Sequence, residues 1–231
     1  MRINKFIAKS GYTSRRKADD LILAGKVMVN GKVMEEPGYD VAPTDEVVIN
    51  GEVLKLEEYF YIKLYKPVGY ITSNFDPYNE KDLNNLVDID QRFFAAGRLD
   101  KDSRGLLILT NDGDFTNKLI HPSHEVSKEY VVKVDRDLKS TDLHKFEGKL
   151  DIGNGEITNG ASIKKLSSKT YQVIISQGFN RQIRRMFDIL AYKVLDLKRV
   201  RIGEIYLDKL KPYEYVEFNN KELQFVKEIK S

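Results

Sequence analysis

Gly97-Arg98-Leu99-Asp100 opens the stretch GRLDKDSRGLLILTNDGD, which sets one carboxylate between Arg98 and Lys101, just ahead of an apolar run at 106–109. An acid held among cations at the lip of a strand stays ionised and can be aimed at a substrate, the setting for acid–base or nucleophilic work. Asp is also a common turn residue, and spacing alone leaves both readings of Asp100 open. A second segment, QGFNRQIRRMF at 177–187, carries Arg181, Arg184 and Arg185, while Ile183, Met186, Phe187 and Leu190 recur at helical spacing. At about 100° per residue, Arg181 and Arg185 fall opposite that apolar stripe. Arg184 falls on its flank, where one guanidinium can turn inward while its neighbours face phosphate. A third segment, Lys128-Glu129-Tyr130, opens an alternating run in which the aromatic ring suits sheet packing. Residues 100–105 superficially match a calcium loop, but Arg104 takes its fifth position and Asn111 its twelfth, where a bidentate Glu is required.

The elements that must position these residues begin from a chain of 231 residues, 41% hydrophobic, enough for a real core in one or two domains. No window approaches the roughly 18 apolar residues of a membrane span, and no basic-then-apolar leader is seen, so a soluble, cytoplasmic protein is expected. The absence of cysteine excludes disulfides and thiolate metal ligands and fits a reducing compartment. His121 and His124 flank Pro122-Ser123 without matching ligands nearby, so no metal is expected. The overall charge of +3 hides two clusters: eight Lys/Arg against two acids over 1–32, and seven against two over 178–203. Two such clusters in a nearly neutral protein are an electrostatic footprint for a polyanion.

The first quarter reads as a small helical pair followed by short strands. Ile3, Phe6 and Ile7 share one helix face, Gly11 stops it, Ser14 can cap the next, and Ala18, Leu21 and Ile22 repeat the spacing up to Gly25. Val27, Val29 and Val33 then alternate around the tight-turn signal Asn30-Gly31. Lys9, Arg15, Arg16 and Lys17 gather where one helix ends and the other begins, with Lys26 following. The charged stretch 52–58 reads as a linker. Beyond it, strands are expected over 59–65, 105–110, 128–134, 161–166, 171–176 and 192–202, with helices over 113–120 and 221–229. The expected fold class is α+β: a small αα-β domain at 1–56, then a larger domain at 57–231 on a mixed, mainly antiparallel sheet.

Ser14-Arg15-Arg16-Lys17-Ala18 and Gly25-Lys26-Val27-Met28-Val29-Asn30-Gly31-Lys32 resemble the RNA-binding domain of the S-four type. That resemblance implies RNA binding through Lys9, Arg15, Arg16, Lys17 and Lys26. Four further motifs, Lys66-Pro67-Val68-Gly69, Arg98-Leu99-Asp100, Lys128-Glu129-Tyr130 and Gln182-Ile183-Arg184, resemble in type and order those of RsuA/RluF-type pseudouridine synthases. The implied activity is isomerisation of uridine to pseudouridine in ribosomal RNA, with no cofactor and no metal. The resemblance assigns catalysis to Asp100, Tyr130 and Arg184: Asp100 does the chemistry, Arg184 pairs with it, and Tyr130 stacks on the target base. It places Ile183 in the uracil pocket, and Arg98, Lys128, Arg181 and Arg185 toward the substrate. Asp100 serves either as nucleophile at the sugar or as the base that yields a glycal, the second being the route the resemblance favours. The form of Gly178–Met186 is closer to the large-subunit (23S) RluF subgroup and the short chain to the small-subunit (16S) RsuA type. The helix contacts the active site and tail length does not, so large-subunit RNA is the expected substrate and small-subunit RNA the alternative. Ribosomal RNA or a pre-ribosomal particle is the expected partner of a monomer, and a transfer RNA stays open. A non-catalytic ribosome-binding factor on the same scaffold is the reading from another class. A glycosidase would need a second, opposed carboxylate, for which Asp102 is the obvious candidate.

Overall fold

Apolar residues at helical spacing, punctuated by glycines, generate α1 (Ile3–Lys9) and α2 (Arg15–Leu23) in the computed structural model, which describes residues 1–73 and 81–230. Ser14 caps α2 by accepting the Lys17 N–H at 3.3 Å. Strands β1 (Val27–Val29) and β2 (Lys32–Met34) are joined through Asn30 and Gly31, both at positive φ (51° and 75°). A two-residue hairpin favours that geometry because its twist matches the strands. With β3 (Val47–Ile49) and β4 (Glu52–Val53) they form an antiparallel sheet in the order β2-β1-β3-β4. Ile3, Ile7, Ala18 and Ile22 bury against Val27, Val29, Val47 and Ile49.

Part of the stretch expected to be a linker belongs to this unit. Glu52–Val53 pairs with β3, and Leu54 is buried in the same core. The Glu57 N–H donates to the Lys9 carbonyl at 3.3 Å, and the Lys9 ammonium sits 4.3 Å from the Tyr59 ring centre. By compactness the chain divides into Met1–Phe60 with Ile89–Phe93, and Tyr61–Asp88 with Phe94–Ser231. The division therefore falls after Phe60, four residues beyond the 1–56 boundary, because these contacts hold 52–60 to the first unit.

The second unit contains β5 (Tyr61–Lys66), β6 (Phe94–Ala95), β7 (Arg104–Thr110), α3 (Gly113–Ile120), β8 (Lys128–Val134), α4 (Ser140–Glu147), β9 (Ser162–Ser167) and β10 (Thr170–Ile175). There follow α5 (Gln182–Ile189), β11 (Val194–Ile202), β12 (Ile205–Tyr206), β13 (Tyr215–Glu217) and α6 (Asn220–Lys230). Its nine-stranded sheet runs β13-β5-β7-β11-β8-β10-β9, with β6 beside β7 and β12 beside β11. Among the described residues only β7 and β11 pair in parallel, so the sheet is mixed and mainly antiparallel. Central β7 is buried almost throughout, which is why its sequence is a continuous apolar run rather than an alternation. Leu106 and Ile108 of β7 share a core with Phe115 and Leu119 of α3, Ile202 of β11 and Val226 of α6.

The parallel pair demands a glycine. Gly105 lies opposite Arg199 with φ +109°, and a Cβ there would come within 2.2 Å of the Arg199 carbonyl oxygen. This close approach of two backbones brings the loop before β7 to the middle of β11.

Candidate active site

Residues 98–103 form the loop between β6 and β7, and each of the six carbonyls in it accepts a hydrogen bond. Arg98 O accepts from Arg199 Nη1 (3.1 Å), Leu99 O from Thr72 Oγ1 (2.6 Å) and Asp100 O from the Ser103 N–H (3.0 Å). Lys101 O accepts from the Gly69 N–H (2.7 Å), Asp102 O from Arg184 Nη2 (2.9 Å) and Ser103 O from Lys66 Nζ (2.9 Å). Lys66 and Gly69, the ends of the Lys-Pro-Val-Gly motif, therefore both hold this loop. Lys66 is fully buried, and its Nζ also donates to the Pro67 carbonyl at 3.0 Å. Burial and the Arg199 charge push the Lys66 ammonium down to about 8, against the opposing pull of Asp100 and Asp102.

The loop forms one wall of a cleft of about 380 Å³ lined by Asp100, Lys128, Tyr130, Arg181, Ile183 and Arg199, among others. The half-buried Asp100 is the acid in that lining. Tyr130, 8% exposed, lies on β8 opposite Val173 of β10 and Arg199 of β11. Ile183 enters from the first turn of α5 as a buried apolar wall. Asp100, Tyr130 and Ile183, singled out in the sequence, thus line one cleft, and Phe179 adds a second aromatic ring to it. Arg98 is exposed at the cleft.

The arginines are arranged differently from expectation. Arg184 does not pair with Asp100. Its Nε lies 3.3 Å from Asp102 Oδ2, and its remaining donors go to Asp102 O, Ser103 Oγ (3.4 Å) and Val194 O (3.2 Å). Asp100 instead has Arg181 Nη1 at 3.8 Å from Oδ2, while the same guanidinium grips Asp102 in a bidentate pair at 2.9 and 2.9 Å. The helix begins only at Gln182, and Arg181 precedes it with φ +49°, so helical phase does not govern where Arg181 points. Arg185 does not line the cleft either. It donates to the carbonyls of Ile152 (2.8 Å), Gly153 (2.7 Å) and Asn180 (3.2 Å) and pairs with Glu156. The Arg181 hydrogen bonds, with Arg184 adding its charge, hold the Asp102 carboxyl below its usual range against burial.

Lys128 lines the cleft half-buried, donating to Val126 O (3.0 Å) and Ser176 O (3.4 Å). Burial and the Arg199 charge push its ammonium down to about 8. Arg199 itself escaped the sequence reading. Only 3% exposed, it donates from Nε to Leu106 O (2.8 Å) and from Nη1 to Arg98 O. Its signal was parity: Arg199 shares the strand face of buried Leu197 in an alternating run.

In the first unit Arg15, Arg16 and Lys17 occupy the exposed first turn of α2, Lys26 is exposed before β1, and Lys9 is half-buried against Tyr59. Among the described residues no three His, Asp or Glu side chains are grouped to hold a metal, and His121 Nδ1 lies 2.8 Å from Ser123 Oγ. No helix among them is long and apolar enough to cross a membrane.

The larger unit thus presents one described acid, Asp100, with Tyr130 in a cleft on a mixed sheet, and its sequence places it among the pseudouridine synthases. Residues 60–188 match the RNA pseudouridylate synthase family and residues 1–47 the S4 domain, so the chain belongs to the RNA pseudouridylate synthase family. The ribosomal large subunit pseudouridine synthase B of Bacillus subtilis (strain 168) is 43% identical over 205 residues, 86% of this chain and 84% of that one. The dual-specificity RNA pseudouridine synthase RluF of Escherichia coli (strain K12) is 37% identical over 229 residues, 96% and 77% of the two chains. A crystal structure of a pseudouridylate synthase superposes with a TM-score of 0.72 at 29% identity, covering 98% of this chain and 99% of that one.

Proposed function

We propose that this pseudouridine synthase acts on ribosomal RNA of the large subunit, with Asp100 as its catalytic carboxylate. The observation that carries the assignment is that Asp100, alone among the described acids, lines the cleft with Tyr130 and Ile183, from a loop held at each carbonyl from 98 to 103. The target uridine leaves its stack, as a base must for chemistry at its own ring. It stacks on Tyr130, worth about 1–3 kcal/mol, with Ile183 against its edge. Asp100 takes the C2′ proton, the C1′–N1 bond breaks and a glycal forms. The freed uracil turns, C5 bonds to C1′ as the proton returns to C2′, and loss of the C5 proton with protonation of N1 completes an isomer of the substrate. Since product and substrate have the same composition, no co-substrate enters the balance.

Asp102 is engaged by Arg181 and Arg184. Among the described residues the cleft thus lacks the opposed second carboxylate of glycoside hydrolysis, which favours isomerisation. Arg181, the cation nearest Asp100, takes the role first given to Arg184, and Arg184 holds the loop backbone. Ribosomal RNA is supported by the names of the relatives, and the large subunit by that of the B. subtilis protein. Exposed Arg15, Arg16, Lys17 and Lys26, with Lys9, serve the RNA backbone, and the cytoplasm is the corresponding location.

The test is tritium release from large- and small-subunit RNAs labelled at uridine C5, presented separately. Wild type releases tritium from large-subunit RNA, and Asp100→Ala releases none while binding RNA with nearly unchanged affinity. Turnover by Asp100→Ala would overturn the assignment.

A further inference from the structure

Against the one carboxylate of Asp100, the cleft is lined by four cations, Arg98, Lys128, Arg181 and Arg199. Arg98 is exposed, and Arg181 is bound to Asp102. Lys128 and Arg199 stand apart from both. Among the described residues neither has an acid within ion-pair distance, and their donors reach only carbonyl oxygens. Nη2 of Arg199 is buried with no hydrogen-bond partner. Both cations flank the aromatic platform: Arg199 lies directly across from Tyr130 in the β8–β11 register, and Lys128 precedes Tyr130 by two residues on the same strand face.

Two like charges side by side, one buried and one half-buried, with no acid at ion-pair distance from either, weaken the fold. Burial first, and the Arg199 charge after it, lower the Lys128 ammonium. Such an arrangement is compensated when negative charge arrives between them, and the reaction produces it at this place. When the C1′–N1 bond breaks, the uracil keeps the electron pair, delocalised over N1, O2 and O4. We propose that Lys128 and Arg199 form the anion site that stabilises the departing uracil. This rests on the pseudouridine synthase reading above. Lys128, the more accessible of the two, donates to an exocyclic oxygen of the released base. Arg199 supplies fixed charge and, through Arg98 O, holds the Asp100 loop as a positioning residue. Donors preorganised where charge develops act on the transition state and leave ground-state binding nearly untouched.

The experiment is single-turnover tritium release from C5-labelled large-subunit RNA by full-length wild type, Lys128→Met, Lys128→Arg and Asp100→Ala. Lys128→Met is expected to slow release about 10²–10³-fold with RNA affinity and its salt slope unchanged, and Lys128→Arg to recover most of the rate. A higher melting temperature for Lys128→Met, since a buried uncompensated charge is gone, separates lost chemistry from lost folding. In a parallel arm, RNA made with 5-fluorouridine, whose C5 fluorine cannot leave as the proton does, is digested and the C-linked nucleotide, equal in mass to its N-linked parent, is followed by its chromatographic separation from it. Fluorine stabilises the uracil anion, so the gap between wild type and Lys128→Met narrows, whereas a structural defect would slow both substrates equally. Unchanged release by Lys128→Met overturns the inference. So does weaker binding with a salt slope reduced by about one at unchanged rate, which would make Lys128 a phosphate contact. Equal slowing of the two substrates also overturns it. No release by wild type overturns the parent reading together with it.

Discussion

Lys66 makes the stability of the larger unit depend on pH in an uncommon direction. Its ammonium is fully buried and pushed down to about 8, whereas in the unfolded chain it returns to the ordinary 10.5. Below pH 8 both states hold the proton, and the folded state carries the whole burden of a buried charge. Between 8 and 10.5 the unfolded chain binds more protons, so stability rises with pH. At about 1.4 kcal/mol per pH unit the full window amounts to about 3 kcal/mol, of which about 2 kcal/mol appears by pH 9.5. Lys128, lowered to about 8, adds a rise in the same direction. Tyr39, raised by its hydrogen bond to Asp45, and Tyr192, raised by burial, titrate above 10 and leave the lower window clear. The assay is calorimetry of the larger unit at pH 7.5, 8.5 and 9.5 for wild type and Lys66→Met. Wild type should gain stability across the series, and the variant should gain about half as much. Stability that is flat or falling from pH 8 to 9.5, or an identical slope in Lys66→Met, would show that carbonyl bonds alone keep the buried ammonium protonated.

Three further outcomes are expected. Asp102→Asn removes the carboxylate that fixes Arg181 beside Asp100, and kcat for tritium release should fall about tenfold, or about 1.4 kcal/mol, while the melting temperature moves by no more than a few degrees. An unchanged kcat would show that Arg181 needs no such anchor. Gly105→Ala sets a Cβ against the Arg199 carbonyl at φ +109°; a loss of about 3–5 kcal/mol is expected, read as a collapse of the soluble, folded fraction. Replacing Arg15, Arg16 and Lys17 together by Ala should make the slope of log K against log salt shallower by about 2. Filter binding that gives an unchanged slope would remove the first turn of α2 from the RNA interface.

The parts of the site legible in the sequence are those that local order fixes. Asp100 follows its motif into the loop before β7, and Tyr130 lies in β8, which covers the residues that alternation predicts. Ile183 lies on the buried face of α5 because its spacing from Met186 and Phe187 is helical. Arg184 is paired with Asp100 only by the resemblance, and the wheel that turns Arg181 away from the core carries the wrong phase because Arg181 precedes the helix in left-handed conformation. Arg185 is expected toward the substrate, yet the carbonyls it binds at 152 and 153 lie about thirty residues away in sequence, beyond any local pattern. Lys66 and Arg199 acquire their roles only through the pairing of β5 with β7 and of β7 with β11. In α4, whose buried residues are Phe146 and Asp142, the apolar face is too narrow to announce a helix, and β6 and β12 are too short to alternate. Glu52–Val53 looked like a linker for the same reason, since two residues show no period.

A loop tied at six successive carbonyls has little freedom to reshape itself around a nucleotide. On the function proposed above, the conformational work of bringing uridine and carboxylate together therefore falls on the nucleic acid. Uridines in bulges, mismatches or strained loops, which unstack at little cost, are then expected to react faster than those within continuous helices, a form of indirect readout.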